Sequence, residues 1–325
     1  MKSLKNLRRA TLCAALTLPA VLMAQTTLKM SDVQPAGYPN VVALENLGKK
    51  FETATNGKYK WQMFPGGVLG SEKEMIEQAQ IGALQIAGIS LGPMGPVVPD
   101  VNVFNLPFLF RDEAHMRAVI DGPIGREILD KITASSARLV GLGWMDSGSR
   151  SMYTKNPIKS PEDLKGQKIR VMGNPMFIEM MNAMGGNGIS MGHGDTFSAL
   201  QTGVVDGAEN NPPTFFASNQ YTAGPKFYSQ TTHLIIPELF VMSKITWDKM
   251  SKDEQALMMK LSREAQMEQR ALWDKSVGDY TAKLKAYGIQ FVTLDKKPFY
   301  DATAPMRAKY GVQFADLIKR IEAVK

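Results

Sequence analysis

Ser251-Lys252-Asp253-Glu254 opens a stretch that nothing breaks until Gly288. A serine three residues ahead of a glutamate forms the capping box that starts helices, each side chain satisfying a backbone amide the helix leaves free. Gly278 is the only glycine inside the stretch, and a helix tolerates it at modest cost. A helix over 251–287 has about 36 residues and, at 1.5 Å of rise each, a length of roughly 54 Å. Leu257, Leu261, Ala265, Leu272, Ser276 and Tyr280 recur about every four residues along it, so one face can pack. Such a helix is longer than an ordinary domain is wide. It either bends over one surface or lies across two domains as a strut, and its length favours the strut.

The chain before it alternates strands and helices. Thr27–Met30, Tyr59–Phe64 and Leu84–Ile89 read as strands, with helical spacing between them at Val41, Leu44, Leu47 and Phe51. A further helix starts at Ser71, with Glu72 and Glu74 in its first turn. The alternation continues through Val101, a helix over 117–136, and Leu139–Trp144. This is the signature of an α/β domain with a mainly parallel sheet. From Asp146 the pattern restarts with strands at Arg150–Thr154 and Ile169–Met172, and a strand that follows Val204. The chain recrosses near Leu234–Ser243. The expected organisation is a first domain of 25–147 plus 236–275 and a second of 148–235 plus 276–303. The helix 251–287 joins the two, and 304–325 forms a helical tail. A hydrophobic content of 44% with 21% charged residues supplies enough core for two such domains.

The first 24 residues are set apart by composition. Lys2, Lys5, Arg8 and Arg9 precede an apolar run, Ala10 to Met23. That run, about 14 residues long, is too short to span a bilayer and suits a secretory signal peptide cleaved after Ala24. Removing those four basic residues from 38 leaves 34 against 31 acidic ones, a net charge of +3 instead of +7. A nucleic-acid partner then has no basic footprint to support it. Cys13, the only cysteine, leaves with the peptide, and Ala10-Thr11-Leu12 before it is a poor lipidation context. The exported chain has no thiol or disulfide and relies on its core.

Gly88-Ile89-Ser90-Leu91-Gly92 matches the G-x-S-x-G nucleophile elbow, which needs a strand, a sharp turn and a helix. Pro93, Gly95, Pro96 and Pro99 follow it, so a loop is expected instead of a helix. The three histidines, His115, His193 and His233, have no ligand spacing, and no metal site is expected. His193, in Gly192-His193-Gly194, either lines a cleft or is a solvated loop residue; His115 and His233 are read as structural. Phosphate-cradle and dinucleotide motifs are absent from the sequence, so no cofactor is expected. The arginines are more informative. Arg170 sits inside the apolar run Ile169–Met172, just before Gly173-Asn174-Pro175, and Arg150 starts the strand 20 residues earlier. A strand–loop–helix–strand path of that length brings two parallel strands side by side or nearly so. Two guanidiniums then meet at one end of the sheet, where open α/β folds bind ligands. A guanidinium fits a carboxylate with two parallel hydrogen bonds. A surface ion pair is the alternative for either arginine taken singly.

"LKGQKIRVMGNPMF" and "FSALQTGVVDGAENNPP" resemble the substrate-binding proteins of TRAP transporters, the family of dicarboxylate and sialic-acid receptors. "FPGGVLGSEKEMIEQ" and "FNLPFLFRDEAH" fit the same family, and the resemblance covers essentially the whole mature chain. It implies a periplasmic two-domain receptor, spanned by a long helix, that closes on an organic acid and passes it to a membrane permease. By the same resemblance Arg170 salt-bridges the ligand carboxylate and Arg150 matches the family's second arginine. Asn210 matches an asparagine near that carboxylate. Asn174 falls one position beyond the family asparagine, Glu72 matches an acid that contacts hydroxyls, and His193 stands at an aromatic position of the site. Ile89 replaces the glutamate of the sialic-acid receptors. The "GNP" and "ENNPP" variants resemble members that bind hexuronates, glucuronate or galacturonate, whose hydroxyls would meet Glu72, Gln34 and Asn210. A C4-dicarboxylate or an aromatic or keto acid is the alternative ligand. A sugar-acid lyase, with Asp195 or Glu209 as base, is the alternative activity, and a solute-sensing module is a third. The resemblance implies a monomer and no enzyme.

Overall fold

The computed structural model describes residues 25–325. The signal peptide read at 1–24, with Cys13, lies outside the described residues. In chain order the strands are β1 (Thr26–Ser31), β2 (Tyr59–Phe64), β3 (Ile86–Ser90), β4 (Leu139–Met145), β5 (Ser149–Thr154), β6 (Lys168–Val171), β7 (Asn187–Ser190), β8 (Gly207–Asn210), β9 (Phe227–Ile235), β10 (Glu238–Ser243) and β11 (Gln290–Val292). They form two sheets, ordered β2-β1-β3-β10-β4 and β11-β9-β5-β8-β6-β7. The chain passes from the first sheet to the second between β4 and β5 and returns between β9 and β10.

Most strands of each sheet run in one direction, as expected, and each sheet contains one reversed strand. β10 runs antiparallel to both β3 and β4, and β5 is antiparallel to β8 and β9. The reason lies in the crossings: β9 and β10 are joined by a tight connection, not by a helical crossover, so β10 enters the first sheet reversed. The segment around Val101 is a 3-10 helix, Pro99–Asn105, not a strand. The helix read over 117–136 is two, Glu113–Asp121 and Pro123–Ala134, split at Gly122-Pro123. Contrary to expectation, Ser90 is followed by a one-turn helix, Leu91–Met94, because Pro93 falls within its first turn, where proline is tolerated. Ser90 donates its amide to Glu72 and no histidine reaches it among the described residues, so the elbow has no activated nucleophile.

The long helix runs Lys252–Tyr287, capped by the Ser251/Glu254 box and ended at Gly288, whose φ of +109° suits glycine alone. Its first half packs Met258, Leu261 and Ala265 against Leu44, Phe51, Val140 and Phe240 of the first domain. Its far end packs Leu284 against Tyr153, Phe215 and Tyr228 of the second. Between them Gln269 accepts from the Asp146 amide and donates to Asp146 O and Asn40 Oδ1, pinning the helix at the β4–β5 crossing. The helix is therefore a strut across both domains. Its seam differs from the expected one. Between Ala265 and Leu284 the buried positions are Gln266, Gln269 and Trp273, with Leu272, Ser276 and Tyr280 only half-buried. The contact there is a polar crossing, which an apolar periodicity cannot register. Among the described residues no helix is long and apolar enough to cross a membrane.

Candidate functional site

Between the two sheets lies a cleft of about 1090 Å³. One wall is built from the loops after β1 and β2, from Glu72 and from Pro93; the other from Arg170, Gly173, the loop 190–195 and Ser218. Both sheets thus turn the carboxyl ends of their parallel strands to the cleft, where short loops and unpaired backbone groups collect in α/β folds.

Arg170 is only 2% exposed yet lines this cleft. β6 is four residues long, fixed by pairing with β7 and β8, and Gly173 ends it. The guanidinium donates from Nε and Nη2 to the Met191 carbonyl at 3.0 and 2.7 Å. Among the described residues no carboxylate lies within salt-bridge distance, and Nη1 has no acceptor. Burial pulls its pKa below the usual arginine value.

Arg150 does not face open space. Its Nε and Nη2 clasp Glu209 at 2.6 and 2.9 Å, and Nη1 donates to Asn210 Oδ1 at 2.8 Å. β5 and β6 are separated by β8 and run in opposite directions, so the expectation of two parallel neighbouring strands is corrected. That reversal is what brings the two arginines near one end of the sheet, since Arg150 begins its strand and Arg170 nearly ends its own. Burial raises the Glu209 pKa, but Arg150 and His233 outweigh it and hold the carboxyl down at about 2. Asn210 Oδ1 accepts from Arg150 and from the Asn211 amide, which leaves its Nδ2 without a protein acceptor among the described residues.

The remaining residues divide in two groups. Glu72 lines the cleft, its Oε1 accepting from the Ser90 amide at 2.6 Å. Gln34, 4% exposed, reaches Thr214 Oγ1 at 3.5 Å, and its Oε1 has no partner among the described residues. His193 lines the cleft and bonds Ser218 Oγ at 2.9 Å. Burial, then Arg170 and Arg150, push its pKa down to about 3, so the ring is neutral. Asn174 is fully occupied. It caps the helix Pro175–Ala183 by accepting from the Met176 amide, and it donates to Gly92 O and Asn102 Oδ1 across the domain boundary. A free amide for a ligand is therefore not what the structure puts at Asn174, because its capping geometry spends both ends.

Sequence reading passed over Asp32 and Glu238. Glu238 sits opposite Ser90 in the β10–β3 ladder and accepts from Asn40 Nδ2 at 2.6 Å and Ser147 Oγ at 3.1 Å. Asp32 follows β1 and accepts from the Gln34 amide at 2.8 Å. Burial, then Asp32 and Glu72, raise Glu238 to about 8; burial raises Asp32 to about 7. A charged residue between apolar runs, as in Ile235-Ile236-Pro237-Glu238-Leu239-Phe240, is the same signal that marked Arg170.

A carboxyl whose folded pKa is raised contributes stability that is fully present below its unfolded pKa and is lost as pH rises through the folded one. Glu238→Gln removes that titration. Wild type is expected to lose melting temperature relative to this variant as pH rises from about 5 to about 9, by a few degrees. Thermal melts of both across that range check it; parallel curves would contradict the raised pKa.

Residues 30–313 match the bacterial extracellular solute-binding protein family 7, DctP. A TRAP periplasmic solute-binding protein from Pseudomonas putida F1, solved with bound D-glucuronate, is 64% identical, with a TM-score of 0.91 over 92% of this chain and 97% of that one. A protein from Xanthobacter autotrophicus Py2, solved with β-D-galacturonate, is 40% identical, with a TM-score of 0.89 over 91% and 99%. A Citrobacter koseri protein, 50% identical, gives 0.91 with D-glucuronate bound (93% and 100% covered) and 0.80 in its apo, open structure (91% and 98% covered). The conformation described here resembles the liganded form more than the open one. By the span of that match and by the two-domain fold around its cleft, the chain belongs to the bacterial extracellular solute-binding protein family 7, as a solute receptor of the TRAP transporter type.

Proposed function

We propose that the chain is a periplasmic receptor for a hexuronate, D-glucuronate or D-galacturonate, held by its carboxylate on Arg170 and handed to a TRAP membrane permease. One observation carries the reading: a buried guanidinium lines the cleft, and among the described residues no carboxylate lies within salt-bridge distance to neutralise it. Leaving such a charge unpaired is costly unless a ligand completes it. Glu72 and the unpartnered Gln34 Oε1 would accept sugar hydroxyl hydrogens, Asn210 Nδ2 would donate, and neutral His193 would line the rim. Arg150 acts one layer back, holding the Asn210 amide with its oxygen turned inward. Asn174 joins the domains. The proteins from Pseudomonas and Xanthobacter, solved with epimeric hexuronates, support this ligand class.

Ligand contacts made by both walls favour the closed arrangement over the open one, and that difference drives closure. The working unit is a monomer without metal or cofactor, exported by residues 1–24, its domains bounded as read from the sequence. It does no chemistry on its ligand. Glu209, one lyase candidate, is engaged by Arg150 and too acidic to serve as a base near neutrality. Calorimetry against a panel of organic acids tests the proposal. Hexuronates should bind and be recovered unchanged, and C4-dicarboxylates should not bind. Binding confined to dicarboxylates, or turnover of the uronate, would refute it.

A further inference from the structure

We infer that Gln220 is a further ligand residue of the cleft: its side-chain amide, aimed by the Tyr153 hydroxyl, donates to the ligand carboxylate beside Arg170. The inference rests on the receptor reading above and adds a contact at the anionic end of the ligand.

One face of the second sheet gathers the groups involved. Ala208 in β8 is the register partner of Tyr153 in β5 and of Arg170 in β6. Residues in one row project to the same face, and neighbouring strands lie about 4.8 Å apart, so the Arg170 and Tyr153 backbones stand roughly 10 Å apart with only an alanine methyl between their side chains. Asn210, two residues past Ala208, falls on that face as well. Burial raises the Tyr153 phenol, and among the charges acting on it Arg170 opposes that rise most strongly.

Gln220 reaches this face from outside the sheet. The short helix Pro212–Ala217 follows Asn210 and Asn211, and past its end Asn219 takes the left-handed conformation, φ +54°, which asparagine tolerates. That turn returns Gln220 to the sheet, where its Oε1 accepts from the Tyr153 hydroxyl. Gln220 is 1% exposed and lines the cleft. Its Nε2 has no acceptor among the described residues, and it is not one of the fully enclosed atoms without a partner, so the cleft is the space it faces.

The Tyr153 bond decides what Gln220 offers. With Oε1 turned to the phenol, the end left free is the NH2, a donor. Arg170 Nη1 and Asn210 Nδ2 are likewise donors without acceptors among the described residues. Three donors from one face suit a group that brings acceptors alone. A carboxylate has about four lone-pair sites, and an N–H bond to it is stronger than one to a neutral oxygen. A glutamine held only to satisfy Tyr153 would need no opening to the cleft.

Calorimetry with the hexuronate that wild type binds more tightly tests this, with circular dichroism to follow the fold. Gln220→Met keeps the side-chain length and removes the donor, and affinity should fall about tenfold to a hundredfold. Tyr153→Phe keeps the ring and loses the hydroxyl. It should weaken binding about threefold or more in the wild-type background and no further in Gln220→Met, because the hydroxyl acts through the amide. A crystal structure of the wild-type complex should place Gln220 Nε2 about 3 Å from a carboxylate oxygen. A folded Gln220→Met that binds within about threefold of wild type overturns the inference. So do additive losses in the double variant, or an Nε2 that meets only a hydroxyl or water in the complex; each of these leaves the receptor reading standing. A wild type that binds no hexuronate refutes the receptor reading itself.

Discussion

Arg170→Ala is expected to abolish detectable hexuronate binding while leaving the fold in place. Two parallel hydrogen bonds from a guanidinium to a carboxylate contribute about 1.5–3 kcal/mol each, so losing both removes about 3–6 kcal/mol, or about two to four decades of affinity. The loss falls at the upper end because the ligand carboxylate would otherwise be desolvated against a neutral wall, and the next cation, Arg150, is committed to Glu209. Arg170→Lys keeps a charge but not the planar fork, and should recover only part of the affinity. The fold should tolerate either change, because the Arg170 side chain makes its protein hydrogen bonds to one carbonyl, Met191 O. Titration calorimetry gives the affinities and circular dichroism the fold. Unchanged affinity in Arg170→Ala would remove the central contact of the proposed site.

The parts of this structure visible in the sequence are those with a local cause. The Ser251/Glu254 box and Gly288 mark both ends of the long helix because capping and a positive φ are decided within a few residues. Arg170 stands out because a permanent charge inside an apolar run demands a reason. The less visible parts depend on pairing between distant segments. Nothing local says that β8 lies between β5 and β6, or that β10 enters the first sheet reversed. The same holds for Arg150: its charge is legible, but its partner Glu209 comes from a strand 59 residues on. At Asn174 a local rule and the resemblance point in different directions. Its position before Pro175 is a helix cap by local rules, whereas the resemblance implies a ligand-binding asparagine nearby. Asp32 and Glu238 escaped notice because their proximity exists only once β1, β3 and β10 share a sheet.

The second large effect is on stability, at Glu209. This carboxylate is fully buried, accepts from Arg150 Nε and Nη2, and stands 3.6 Å from His233 Nε2. Glu209→Ala strands the Arg150 guanidinium, itself 2% exposed, without a counter-charge. Removing one partner of a buried pair costs about 3–5 kcal/mol, because the remaining charge keeps its desolvation penalty and loses its attraction. Urea unfolding should show a loss of that size. A double variant, Arg150→Met with Glu209→Leu, should lose clearly less, since no lone charge stays behind. Its ligand affinity should still fall, because the Asn210 amide loses the donor that orients it. The pH dependence follows from the depressed pKa. A carboxyl lowered in the fold contributes stability that is fully present above its unfolded value and is lost as pH falls through the folded one. For Glu209 the loss spans the interval from the ordinary 4.5 down to about 2. Wild type should therefore lose its advantage over Glu209→Ala as the solution is acidified through that interval. An advantage that persists below it would mean that packing, not the ion pair, is what Glu209 contributes.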